Sequence, residues 1–403
     1  MRRGAIPTGA MANGMTEAWI ATALDGMRRK NLERSLTSYP DTGGKIKIDG
    51  REYLNLSSND YLDLAHHPEV TLSAERALRT YGGGATASRL VTGNLSIYSE
   101  LENALAEHKG YPSALVFGCG YMTNAGAIST LVDRHDQVFA DRLVHASMID
   151  AVTLSRAKLF RFRHNDAGHL EELLGKHPTN RRRLIVTESV FSMDGDLAPL
   201  EDIAAAARSF NAMLMVDEAH ATGVFGPGGS GLIREHALES SVNVSMGTLG
   251  KALGCYGGFV ACSTALRRLL IGRARSLIYS TALPPAVVGA AMGALEVLRT
   301  NPSMGEALLE RARIFRDRLG DAGLDTMHSS SQIIPVVVGD NAKVLALSSA
   351  LRDRGIIAAA MRPPTVPPQS SRLRLSMTLA HSQDDLERAA KTLIECVRKE
   401  GIA

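Results

Sequence analysis

From Tyr53 to about Leu283, short apolar runs recur between stretches of helical spacing: SALVFG, QVFAD, RLIVTES, MLMVDEA, VNVSMGT and GGFVACS. Runs that are apolar throughout, rather than alternating, belong to strands buried on both faces. With helices between them the strands must be joined by crossovers, so an α/β fold with a mostly parallel sheet, covered on both sides, is expected here. Sheets of this kind place ligands at the carboxyl ends of their strands. The residues that follow each run are therefore the first candidates for chemistry.

The pattern changes on either side of this segment. Residues 1–45 are read as an N-terminal arm and a helix over about 16–36, residues 46–290 as the large α/β domain, and residues 291–403 as a small C-terminal α+β domain. In the last, QIIPVVVGD, IIAAAMR and RLRLSMTL read as strands, and NAKVLALSSALRDRG and SQDDLERAAKTLIECVRKEG as helices. Ser382 followed by Asp385 marks the start of the final helix, because a serine at the N-cap and an acid three residues on can satisfy each other's backbone N–H groups.

Lys+Arg number 45 and Asp+Glu 42, a net charge of +3, too even to point to nucleic acid or an anionic membrane as partner. The longest apolar stretch, Ala286 to Leu298, is interrupted by Glu296 and is too short for a span of about 20 residues. The first residues carry arginines without an apolar stretch, so a secretory signal is not expected. Four scattered cysteines, Cys119, Cys255, Cys262 and Cys396, without C-x-x-C spacing, exclude a disulfide scaffold and a zinc ribbon. A cytoplasmic protein without a structural metal is expected.

Three familiar patterns fail on inspection. Gly226 to Gly231 fits G-x-G-x-x-G but lies mid-chain, and Pro227 removes a donor from the loop. Asp217-Glu-Ala-His220 spells a helicase motif, yet Gly250-Lys251 is followed by Ala252 and lacks the first glycine of a phosphate-binding loop. No H-E-x-x-H is present to give His220 a metal partner.

The strand-end residues suit one cofactor better. Lys251 lies in a loop of small residues after VNVSMGT, where a bulky aldehyde could form a Schiff base, though a lysine in such a turn is also compatible with a solvated surface position. Asp217 ends MLMV and could face a pyridine nitrogen, or serve as an N-cap or ion-pair partner. Gly118-Cys-Gly-Tyr121 precedes a helical stretch, so its N–H groups could hold a phosphate. His145 follows QVFAD, where an imidazole could stack on a planar ring or simply pack. Arg372 and Arg374 share one face of their strand, and spacing does not choose between them.

Taken together, SSNDYLDLAHHPEV, GGGATASRLVTGN, DRLVHASMIDA, FRHND, TESVFSMDGDLAPL, VDEAHATGVFG, SMGTLGKALG, IYSTALPP and RPPTVPPQSSRLRLS resemble the α-oxoamine synthases, fold-type I pyridoxal-phosphate transferases built like aspartate aminotransferase. The likeness runs from about residue 20 to the C-terminus, and Arg362 to Pro367 is most similar to the 8-amino-7-oxononanoate synthase branch. The resemblance implies pyridoxal 5′-phosphate carried on Lys251, with Asp217 at its ring nitrogen, His145 on its face, and Ser192 and His220 near its phenolic oxygen. Gly120, Tyr121 and Thr248 match phosphate positions, and Ser280 and Thr281 match a segment reaching the partner's phosphate in a homodimer with shared sites. Arg374 matches the arginine that holds the amino-acid carboxylate, Arg34 and Thr365 match positions that contact the acyl substrate or product, and Asn59 and His145 are further substrate-binding positions.

The implied reaction is a decarboxylating condensation of L-alanine with a pimeloyl thioester, borne by coenzyme A or an acyl carrier protein. A relative using glycine with an acetyl thioester, or a longer acyl chain, is the alternative within the family, and a catalytically silent partner subunit the alternative outside it. Tyr98 stands where family members often carry histidine, which is expected to reshape the acyl pocket.

Overall fold

A computed structural model describes residues 10–41 and 43–402. The first nine residues of the expected arm lie outside them. The core is a seven-stranded sheet built from β3 (Ser113–Phe117), β4 (Gln137–Asp141), β5 (Lys158–Phe162), β6 (Arg183–Glu188), β7 (Met213–Asp217), β8 (Val244–Thr248) and β9 (Gly258–Cys262) in the order β3-β9-β8-β7-β6-β4-β5. Every neighbour pair is parallel except those of β9, which runs antiparallel to both β3 and β8. The interior strands β6 and β9 are buried at every residue, as continuous apolar runs require. The six expected strands are all present. The seventh, β5, was not expected because its KLFRF carries charges at Lys158 and Arg161, and it lies at the sheet edge where such residues meet water.

Two three-stranded sheets accompany it. The hairpin β1 (Lys45–Ile48) and β2 (Arg51–Asn55) pairs with β11 (Ile356–Ile357), while β10 (Ile333–Gly339), β13 (Ser371–Ser376) and β12 (Ala359–Met361) form the other. The expected strand IIAAAMR is thus divided between two sheets. Strand pairing groups residues 45–55 with the C-terminal segment rather than the large sheet, and the helix Pro285–Thr300 runs through residue 290 without a break. The expected N-terminal helix is shifted toward the N-terminus, spanning Ala10–Arg29, and Asn31 with φ 53° ends its turn so that residues 32–39 are irregular. Its described side chains are mostly exposed. The final helix, Gln383–Lys399, opens with the reciprocal Ser382–Asp385 capping box. Among the described residues no helix is long and apolar enough to cross a membrane.

Candidate active site

The parallel register sets Glu188, the last residue of β6, directly beside Asp217, the last residue of β7. Two carboxyl groups at neighbouring strand ends cannot both ionise cheaply, and burial followed by the Asp217 charge pushes the Glu188 carboxyl well above the usual range. Asp217 is held by neutral donors: Asn124 Nδ2 donates to its Oδ2 at 3.0 Å and the Ala219 N–H to its Oδ1 at 2.9 Å. The next residue, Glu218, points into the core instead. It takes hydrogen bonds from Lys109 Nζ at 2.5 Å, Ser245 Oγ at 3.1 Å and the Ile233 N–H at 3.0 Å, which fixes the loop that presents Asp217.

Lys251 follows β8 and is half-buried. Its Nζ lies 2.8 Å from His220 Nε2. Burial, only partly offset by Asp217 and Glu188, lowers its amine to about 8, so a neutral lysine is accessible near neutral pH. This removes the reading of Lys251 as a solvated surface residue. Burial and then the Lys251 and Arg374 charges hold His220 neutral, well below the ordinary histidine range.

His145 caps the helix Ala146–Ser155, and its N–H donates to Glu188 Oε1 at 2.6 Å. Its Nδ1 accepts from the Ser147 N–H at 3.3 Å and lies 2.8 Å from Ser147 Oγ, which in turn accepts from Asn124 at 2.9 Å. With Nδ1 used as acceptor, the ring proton sits on Nε2. Partial burial lowers this imidazole too, so it remains a neutral donor. His145 lines a cavity of about 810 Å³ together with Ser192, Pro363 and Thr365. Lys251 and Asn59 line a second, of about 820 Å³.

The helix Gly120–Leu131 begins on an extended Cys119 and has no side-chain cap, leaving its first-turn N–H groups for an anion. A Cβ at Gly120 would come within 3.1 Å of Met246 Cε and 3.8 Å of Thr248 Oγ1, so glycine keeps this helix start close against Thr248. Tyr121, in the same turn, is exposed and donates to Asp150.

The two arginines of β13 share a face but separate in function. Arg372 is neutralised by Asp194. Arg374 Nε donates to the Ser192 carbonyl at 2.6 Å, and its terminal nitrogens to Ser376 Oγ at 2.7 Å, Asn59 Oδ1 at 3.2 Å and Tyr61 Oη at 3.3 Å. Among the described residues this buried guanidinium forms no ion pair with a carboxylate.

The loop carrying Ser192 is pinned by His164, whose Nδ1 and Nε2 lie 3.0 and 2.8 Å from Asp141 Oδ1 and Asp196 Oδ2. Both nitrogens must donate. Burial works against the charge, but the two carboxylates outweigh it and raise the imidazolium to about 10. Its folded pKa exceeds the unfolded value of about 6.5. Its contribution to stability is therefore complete below that pH and disappears as pH rises through about 10. The expected outcome is that wild type melts several degrees above His164→Asn at pH 6, with the gap closing by pH 10.5 in calorimetric scans; a gap independent of pH would contradict the charged clamp.

Arg34 lies on irregular chain rather than on a helix, where it donates to the Pro363 carbonyl at 3.3 Å, and Arg362 donates to the Asn31 carbonyl in return. Ser280 and Thr281 line neither large cavity. They border a small recess with Gly118, Arg89 and Tyr98. Tyr98 is buried there with its hydroxyl on the Leu283 carbonyl at 2.9 Å, so it anchors that segment instead of shaping either large cavity. Glu188, Asn124 and Tyr61 were not anticipated. Glu188 alone carried a signal, an acid closing RLIVTE as Asp217 closes MLMVD.

The family model for aminotransferases of class I and II matches residues 51–393. A protein named 8-amino-7-oxononanoate synthase from Geobacter sulfurreducens is 45% identical over 388 residues, covering 95% of this chain and 99% of its own. One of the same name from Anaeromyxobacter dehalogenans is 46% identical over 372 residues, covering 92% and 93%. Among solved structures, a serine palmitoyltransferase from S. paucimobilis superposes with a TM-score of 0.90 at 30% identity, covering 96% and 98% of the two chains. An 8-amino-7-oxononanoate synthase from Francisella tularensis gives 0.76 at 28%, covering 87% and 99%. With a half-buried lysine, a carboxylate and an imidazole at the strand ends of this sheet, and matches along nearly its whole length, the chain belongs to the class I and II aminotransferase family, in the α-oxoamine synthase group of fold-type I pyridoxal-phosphate enzymes.

Proposed function

We propose that this chain joins L-alanine to a pimeloyl thioester with loss of carbon dioxide, forming 8-amino-7-oxononanoate on the route to biotin. The observation that carries the amino-acid half is Arg374, a buried guanidinium without a carboxylate partner among the described residues, in the same hydrogen-bonded cluster as Lys251. The pimeloyl half is supported by the relatives bearing that enzyme name at 42–46% identity over nearly their full lengths.

Pyridoxal 5′-phosphate fits the residues present. Lys251 offers an amine to its aldehyde, Asp217 a carboxylate to its ring nitrogen, Gly120 and Tyr121 an uncapped helix start and Thr248 a hydroxyl to its phosphate, with His145, Ser192 and His220 around the ring. When bound, the cofactor supplies the electron sink that makes a proton on the amino acid's Cα removable near neutral pH.

The chain's own groups do the rest. Arg374 holds the amino-acid carboxylate and so fixes which bond at Cα is turned toward Lys251. Lys251, its amine lowered to about 8, accepts the Cα proton and later returns one. His145 donates its Nε2 proton to the thioester carbonyl oxygen as negative charge grows there. The new bond joins Cα of alanine to the thioester carbonyl carbon, the thiolate leaves, and the alanine carboxyl departs as carbon dioxide. Arg34 and Thr365 contact the acyl chain. The site is completed in a homodimer, with Ser280 and Thr281 reaching the partner's phosphate; their placement away from both large cavities of their own chain supports this.

Arg374→Lys keeps the charge but loses the planar fork. Its KM for L-alanine is expected to rise about 10- to 100-fold, the worth of a charged hydrogen bond, while KM for the thioester changes less than about threefold. An unchanged alanine KM in steady-state assays would remove Arg374 from the carboxylate site.

A further inference from the structure

His145 and Ser192 stand on different loops, one following β4 and one following β6, yet both border the cavity of about 810 Å³. One side chain reaches the main chain of each. Glu188, the buried last residue of β6, takes the His145 N–H on its Oε1 at 2.6 Å, and the Ser192 N–H bonds to the same carboxyl. A backbone N–H can only donate, so the direction of both contacts is fixed and the carboxyl accepts. Ser192 is held at its carbonyl as well, which accepts from Arg374 Nε at 2.6 Å.

We infer that Glu188 is a positioning residue: by gripping the main chain at His145 and at Ser192 it fixes the two loops relative to each other, and with them the imidazole that faces the thioester, and through Ser192 it braces Arg374. This rests on the roles proposed above for His145 and Arg374. The grip needs no charge. Burial, and then the Asp217 carboxylate beside it in the sheet register, disfavour a negative charge on Glu188, and Lys251 offsets them only in part. The pair therefore carries one negative charge, on Asp217, and Glu188 acts as a neutral acid. A glutamine offers the same acceptor and an N–H in place of the acid's O–H, whereas a leucine of similar size leaves both backbone N–H groups without a partner.

The test compares Glu188→Gln with Glu188→Leu in the full chain. In the cofactor-free protein near neutral pH, the infrared difference spectrum of wild type minus Glu188→Gln is expected to show the C=O stretch of a protonated carboxyl and no carboxylate band. Visible circular dichroism of the cofactor-loaded protein, which reports how the ring is seated, is expected to match wild type in Glu188→Gln and to differ from it in Glu188→Leu. In steady-state assays Glu188→Leu loses about 10- to 100-fold in kcat/KM, the cost of a small misplacement. Glu188→Gln stays within about threefold of wild type, because its amide keeps the acceptor. A Glu188→Gln as impaired as Glu188→Leu, or a carboxylate band in wild type, would overturn the neutral grip, and a fully active Glu188→Leu would remove the positioning role. Should Glu188→Leu fail to fold, the glutamine variant and the infrared spectrum still decide. The infrared result involves no substrate, so its failure is distinguishable from failure of the proposed reaction.

Discussion

Lys251→Ala loses about 10⁴-fold or more in kcat/KM, the expected result of removing a group that acts both as nucleophile toward the cofactor and as proton acceptor at Cα. The size follows from the surroundings. Within the Asp217, Glu188 and His220 cluster Lys251 is the amine, and burial sets it at about 8. The variant should also lose the cofactor that borohydride fixes to the wild-type chain, with the labelled peptide containing Lys251. Label on another lysine would relocate the site. Mixed with a Thr281→Ala variant, itself impaired, Lys251→Ala should recover part of its activity if subunits exchange and sites are shared; a fully active monomer by light scattering contradicts the shared site.

The second large effect concerns the acyl chain. Cutting a pimeloyl thioester to acetyl removes four or five methylene equivalents, each worth about 0.8 kcal/mol when buried. The expected loss in kcat/KM is then about 10²- to 10³-fold, at about 1.4 kcal/mol per factor of ten. A cavity of about 810 Å³ bordered by His145 and Thr365 has far more room than an acetyl group fills. Exchange of alanine for glycine removes one methyl and should discriminate less, by about 1–3 kcal/mol. A rate optimum at acetyl would move the assignment to a glycine C-acetyltransferase, and one at palmitoyl to a sphingoid-base synthase.

The parts of this architecture written in local pattern were readable in advance. Continuous apolar runs such as RLIVTES could only be doubly covered strands, and Lys251, Asp217 and His145 stood at the ends of such runs. What depended on pairing was not readable. Whether Glu188 meets Asp217 is decided by the register of β6 on β7, and whether IIAAAMR is one strand or two by which sheet each half joins. Arg372 and Arg374 could not be told apart along the sequence, because Asp194, which neutralises the first, and Ser192, whose carbonyl holds the second, come from a loop about 180 residues away. Tyr61 lies inside SSNDYLDLAHHPEV, but nothing in that stretch singles it out. Its contacts exist only where Asn59, His220 and Arg374 converge on one hydroxyl.

The central claim is tested most directly by incubating the cofactor-loaded protein with L-alanine labelled with ¹³C at its carboxyl group and a pimeloyl thioester, offered on coenzyme A and on an acyl carrier protein in parallel. The account predicts one ¹³CO₂ and one free thiol released per 8-amino-7-oxononanoate formed, read together by mass spectrometry, from at least one of the two thioesters. Thiol release without labelled carbon dioxide, or no amino ketone from either thioester, would contradict it.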